Sequence, residues 1–144
     1  MIERRLRTAI LIYLWAALIE DTFLFVAAWY APDVWFRLLH HSTPAGLETA
    51  FLYRSAGQWA AFALAQGITL WRWRNAPVWL AVTAGVRFSD LFTDLSYIAG
   101  APSLTKVGWI LLLPPAFLNL VGVIIMLRGY RQAQKTLAEI GAAT

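Results

Sequence analysis

The chain has 144 residues, of which 60% are hydrophobic and 14% charged, with eight tryptophans, no cysteine and a formal net charge of +4. A soluble domain with that balance and a mean hydropathy of +0.58 would expose apolar patches and aggregate, so composition points to one all-α membrane domain over residues 1–144. The missing cysteines exclude thiolate metal sites and dithiol redox chemistry, and basic residues gathered at the ends of apolar runs exclude nucleic acid as a partner.

A membrane-crossing helix needs roughly 20 mostly apolar residues. Four such runs are predicted, at about residues 8–30, 48–71, 76–99 and 104–127, with ends uncertain by about 2–4 residues. The first follows the basic stretch Arg4, Arg5, Arg7. It is too long for a signal-peptide core and is read as a retained helix. Glu20 and Asp21 interrupt it late. Next, Asp33 to His41 has the pattern of a short amphipathic helix lying in the membrane interface, after which Ser42 to Gly46 turns the chain back.

Glu48 falls in the first turn of the second span. Within that span Arg54 and Gln58 share a face with Ala61 and Ala65, flanked by Gly57. Small residues in that pattern predict close approach of another helix. The turn from Trp71 to Pro77 is short, so spans two and three are expected to be antiparallel neighbours, with Trp71, Trp73 and Trp79 at headgroup level. Pro77 suits a first helical turn. On the third span Arg87, Asp90 and Asp94 are spaced three and four apart and form one stripe, which Thr83 and Tyr97 extend. The fourth span holds Pro114-Pro115, predicted to kink it, and Asn119. Arg128, Arg131 and Lys135 then form a weakly basic tail suited to anionic lipid headgroups.

The positive-inside rule sets orientation. Arg4, Arg5, Arg7, Arg72, Arg74, Arg128, Arg131 and Lys135 lie on one side, against Arg37 and Lys106 on the other. Both termini are therefore expected in the cytoplasm, in a multi-pass protein of the inner membrane.

Ionisable side chains at membrane depth are costly and usually face a partner or a cavity. Glu20, Asp21, Arg54, Arg87, Asp90 and Asp94 come from three spans and are all expected in the outer half of the bilayer. They predict one buried Arg/Asp network, with Arg54 opposite Asp90 and Asp94 as the natural interhelical pair. Gln58, Trp59 and Tyr97 are added as pocket-lining candidates. Two arginines cannot neutralise four carboxylates, so some acids hold a proton, a cation binds, or Glu20 and Asp21 are wet. Adjacent helical residues point about 100° apart, so Glu20 and Asp21 cannot both face one spot. Arginines in the cluster would repel a metal ion, and no metal site is expected there or at His40, His41 and Glu48. No cofactor is identifiable, while a bound lipid, quinone or other lipophile fits the pattern.

The stretch Tyr53-Arg54-Ser55-Ala56-Gly57-Gln58, the turn Trp71-Arg72-Trp73-Arg74-Asn75-Ala76-Pro77 and the segment Arg87-Phe88-Ser89-Asp90 together resemble a pattern in small bacterial four-span membrane proteins of the DoxX-like kind. In that pattern an Arg-x-x-Gly opens the second span, a basic-Pro turn follows, and a polar pair marks the third. The resemblance covers spans two and three and implies a four-helix membrane bundle. It carries little function, and the Asp90/Asp94 pair and Pro114-Pro115 have no place in it.

Three roles fit the sequence. The first is an accessory or binding subunit of a larger membrane complex, or of a lipophilic cofactor, with the bilayer and other membrane subunits or further copies of the chain as partners. The second is a membrane enzyme using Asp90 or Asp94 as a general acid on an isoprenoid- or quinone-like substrate, with Arg54, Arg87 and Glu20 around it. The third is a small proton-coupled carrier, for which Gln66 and Asn119 would have to continue the polar path inward.

Overall fold

The computed structural model describes residues 2–101 and 103–142. Among them the chain forms five α-helices and no strand: α1 (Arg4–Tyr30), α2 (Pro32–His40), α3 (Gly46–Arg72), α4 (Val78–Gly100) and α5 (Lys106–Ala142). Two segments, Arg4–Tyr30 and Lys106–Glu139, are long and apolar enough to cross a membrane. α3 and α4 have 27 and 23 residues but carry more polar side chains.

The helix ends follow from local chemistry. α2 starts on a proline, has Asp33 in its first turn and Arg37 and His40 in its last, charges that complement the helix dipole. His41 then stops it in the left-handed conformation, at φ 52°. Glu48 reaches back one turn to accept the Ala45 N–H at 2.7 Å at the start of α3, one half of a capping box. Thr105 caps α5 by accepting the Gly108 N–H at 2.8 Å. It also donates its hydroxyl to the Leu38 carbonyl at 2.7 Å and its own N–H to the Leu39 carbonyl at 2.9 Å. The carbonyls that α2 leaves free at its end are thereby used to fasten it to α5.

α1 packs along α3 and α4 along α5, while shallower α3–α4 and α1–α5 contacts close the ring. The short turn does make α3 and α4 neighbours, yet α3 packs mainly on α1, across the intervening α2, and α4 mainly on α5, the next helix in the chain. Two apolar layers fill the bundle. One joins Ile10 and Leu14 of α1, Trp73 just after α3, Leu80 and Ala84 of α4, and Met126 of α5. The other joins Ala28, Leu52 and Ala56, against which Trp35, Phe36 and Trp59 pack. Along each helix, the polar residues of the interior fall between these layers: Asp21, Gln66, Arg87, Asp90 and Asn119 are all buried.

Three expectations are corrected. Gly57 was expected to admit a close helix neighbour, but a Cβ there would meet open space. The close approaches are on α5 instead, where a Cβ at Gly122 would collide with the Tyr13 ring and one at Gly129 would lie 2.6 Å from Ile10 Cδ1. Trp73 is no headgroup anchor; it is 3% exposed, inside the first apolar layer. Lastly, α5 does not stop near Leu127 but runs on to Ala142, passing Pro114 and Pro115 within one helical assignment. The residues after Leu127 include Gln132, Ala133, Lys135 and Leu137, all good helix formers, so loss of hydrophobicity does not end the helix.

The outside of the bundle is the inverse of its inside. Phe23 of α1, Leu64 of α3, Phe92 of α4 and Ile110 of α5 are each more than 60% exposed. Large apolar side chains therefore coat all four long helices, while charge and amides occupy the centre.

Candidate functional site

Arg87 organises the centre. Its side chain is 1% exposed, and its Nη2 donates to Asp21 Oδ2 at 2.5 Å. Its Nη1 donates to Asn119 Oδ1 at 3.1 Å and lies 3.3 Å from Asp90 Oδ2, one turn along its own helix. From α3, Gln66 Nε2 donates to the same Asp21 oxygen at 2.5 Å. Asn119 spends both amide protons on carboxylates, to Asp90 Oδ2 at 3.0 Å and Asp94 Oδ2 at 3.1 Å. Its orientation follows, because the reverse would set a carbonyl oxygen against two carboxylates and an NH2 group against a guanidinium. Each of the four long helices contributes to this network.

The network is short of positive charge, and its donors and acceptors do not all meet. One guanidinium serves Asp21 and Asp90, and among the described residues Asp94 accepts from the Asn119 amide alone. Asp21 Oδ1, Gln66 Oε1 and the Arg87 Nε–H are buried with no hydrogen-bond partner among the described residues. Next to it, Thr69 and Thr83 share a hydrogen bond of 2.7 Å between α3 and α4, and Tyr13 lies beside Arg87 from α1.

Asp90 and Asp94 also form one wall of a cavity of about 320 Å³ bounded by α2, α3, α4 and α5. Its other polar lining is Glu48, Ser55, Gln58, Thr93 and Tyr97; the apolar walls are Trp35, Phe36, Phe51, Leu52, Trp59 and Leu112. The Trp35 and Trp59 rings contact each other at 5.4 Å between centroids, tilted by 42°. A second cavity, lined by His40, Ser42, Ser96 and Ser103, shares Phe36, Glu48 and Tyr97 with the first, so these three side chains form the partition between them. Tyr97 is held in that partition by His40. His40 Nδ1 lies 2.6 Å from the Ser103 carbonyl, which can only accept, so Nδ1 carries the proton. In the neutral ring Nε2 then accepts from the Tyr97 hydroxyl.

The residues singled out in the sequence divide as follows. Arg87, Asp90 and Asp94 share one face, as their spacing requires. Asp21, rather than Glu20, turns inward to meet Arg87; Glu20 is half-buried beside it. Gln58, Trp59, Asp90, Asp94 and Tyr97 line one cavity. Arg54 does not join them: it lies on an exposed face of α3, and the pair expected across to Asp90 is replaced by Arg87, which reaches Asp90 from within α4. Neither proline of α5 borders the cavity, whose α5 wall is Leu112. Sequence reasoning gave no cavity role to Trp35, Phe36 or Phe51. The strongly amphipathic pattern of α2 pointed to a buried apolar face but not to the place where it is buried.

Comparison with protein-family models, with curated proteins and with solved structures returns no match for this chain.

Proposed function

We propose that the chain is a four-span integral protein of the bacterial inner membrane that holds a lipophilic molecule, serving as a binding or accessory subunit. The inside-out distribution of polarity supports the membrane placement. α3 and α4 look less apolar than α1 and α5 in part because Gln66, Arg87 and Asp90 are turned into the bundle, while Leu64, Phe88 and Phe92 face outward; Arg54, exposed on α3, is the exception. Charged groups at membrane depth are expected to lie inside a bundle in this way. In this reading both termini lie in the cytoplasm. Arg7, Arg74 and the end of α5 border a common groove, and Arg128, Arg131 and Lys135 line another with Glu3 and Leu6; such a gathering of positive charge supports that orientation.

The observation that carries the binding role is the cavity under α2. It is concave, walled by five aromatic side chains and two leucines, and supplied with convergent polar groups, the combination that marks small-molecule sites. The test is gentle extraction of the protein from its native membrane, sizing of the particle and mass spectrometry of its contents. A small particle holding a stoichiometric lipophile, lost on Trp59→Ala, supports the role. An empty particle that binds no lipophile on reconstitution refutes it. Comigration with a large assembly would assign the accessory role.

One observation favours a second reading, acid–base chemistry on an isoprenoid- or quinone-like molecule: Asp94 stands on the cavity wall with no ion pair among the described residues. An enzyme would lose turnover on Asp94→Asn while still binding its substrate, and a carrier of ligand alone would show no chemical change in the bound molecule.

A further inference from the structure

Resting on the lipophile-binding role, we propose that the ligand of this cavity carries an organic ammonium group, seated against Asp94 with its substituents on the Trp35–Trp59 wall. The charge on the lining is one-sided. Glu48, Asp90 and Asp94 border the cavity of about 320 Å³, and no lysine or arginine is among the described residues that line it. Arg87, which contacts Asp90 at 3.3 Å, is not part of the lining and is already engaged with Asp21 at 2.5 Å and Asn119 at 3.1 Å. Asp94 is left with one neutral amide contact at 3.1 Å. A carboxylate so placed favours a positive charge from the ligand side, and it disfavours an anionic head such as a phosphate or a fatty-acid carboxylate.

The rest of the lining suits such a group. Aromatic faces attract a quaternary or protonated amine through their quadrupoles, tryptophan most strongly. Trp35, Phe36, Trp59 and Tyr97 come from three helices to surround the space in front of the acids. A metal ion would want a shell of oxygens, and no group of three possible metal-binding side chains occurs among the described residues. An organic cation needs only one or two carboxylates and a desolvated aromatic wall. The second cavity, across the Phe36, Glu48 and Tyr97 partition from the first, adds the polar side chains His40, Ser42, Ser96 and Ser103 next to the proposed seat of the charged group.

The test uses the full chain in lipid nanodiscs, with empty nanodiscs as control. Benzyltrimethylammonium is compared with neopentylbenzene, its neutral isostere in which carbon replaces nitrogen, with binding followed by calorimetry and tryptophan fluorescence. The cation is expected to bind at least about tenfold more tightly than the isostere. Asp94→Asn should remove about tenfold of that preference while leaving the isostere unchanged, in line with loss of one desolvated charge contact. If the Asn variant does not fold, Trp59→Leu keeps an apolar wall and removes a π face, and should cost the cation several-fold and the isostere little. Equal binding of both probes overturns the ammonium assignment and leaves the lipophile role standing. Binding of neither overturns both. A cation preference indifferent to Asp94 and Trp59 alike also overturns the assignment, since the charge would then be recognised elsewhere.

Discussion

Replacing Arg87 by methionine keeps most of the side chain's length and removes its charge. In the folded bundle that change leaves Asp21 and Asp90 facing each other's field with only Gln66 and Asn119 as donors. Hydrogen bonds to charged groups are worth about 1.5–3 kcal/mol each. The two carboxylate contacts of Arg87, at 2.5 and 3.3 Å, thus bring the expected loss to about 3–5 kcal/mol, the range found when one member of a buried ion pair is removed. The double variant Arg87→Met/Asp21→Leu removes the pair instead of half of it and should be more stable than Arg87→Met alone, with a coupling between the sites of about 1–3 kcal/mol. The assay is reversible unfolding of the purified protein in mixed micelles with increasing sodium dodecyl sulfate, followed by circular dichroism, for wild type, both single variants and the double. A loss of less than about 1 kcal/mol for Arg87→Met, or a double variant equal to the sum of the singles, would show that the buried charges are not held by one another, and the reasoning would fail.

Arg54→Ala makes the contrasting case: an exposed arginine without an ion pair among the described residues should cost no more than about 0.5 kcal/mol in the same titration, and a loss comparable to that of Arg87 would return Arg54 to the network. Gly122→Ala forces a methyl group into the Tyr13 ring and should destabilise by about 1–3 kcal/mol; adding Tyr13→Leu should recover part of the loss, and failure to do so would mean that α1 and α5 are not in contact there. The chain has no cysteine, so single cysteines report sidedness cleanly. Ser42→Cys should react with an impermeant maleimide on intact cells and Asn75→Cys only after the membrane is opened. The opposite result reverses the orientation, and labelling of both from one side means that α3 does not cross.

What could be read in advance was whatever depends on position along one helix. The stripe Thr83, Arg87, Asp90, Asp94 follows from helical spacing alone, and its first three members are buried on one face. What could not be read was rotation of one helix against another. Spacing favours Arg54 as the interhelical partner of the acids, where the structure uses Arg87, and it does not separate Glu20 from Asp21, because a choice between adjacent residues is a turn of about 100° about an axis. The ring of contacts that settles it depends on α1 packing along α3 across the intervening α2, a pairing that no loop length dictates. The same limit hid the cavity. The pattern of α2 fixes that one face is apolar, but the anchors that lay that face over α3 are Thr105, 66 residues beyond Leu39 by sequence number, and the His40–Tyr97 contact, 57 residues apart. A lone asparagine in an apolar run was visible, whereas its three simultaneous partners were not.

Asn119 is where the core and the cavity become one system. Its carbonyl accepts from Arg87, and its two amide protons go to Asp90 and to Asp94, so one side chain connects the buried ion pair to the cavity wall. A positive charge arriving at Asp94 would compete for the carboxylate that now takes an Asn119 proton. Any shift of that amide alters a donor on which Asp90 depends, and Asp90 in turn shares Arg87 with Asp21. Occupancy of the cavity is therefore expected to be felt on α1, which does not line it. Asn119→Leu should cut that connection. In a bundle holding Asn119, a ligand in the cavity should raise the unfolding midpoint and also change the protection of backbone amides around Asp21. In the leucine variant the protection change near Asp21 should disappear even where ligand still binds. A ligand effect at Asp21 that survives the substitution would mean that the two halves communicate through packing and not through this amide.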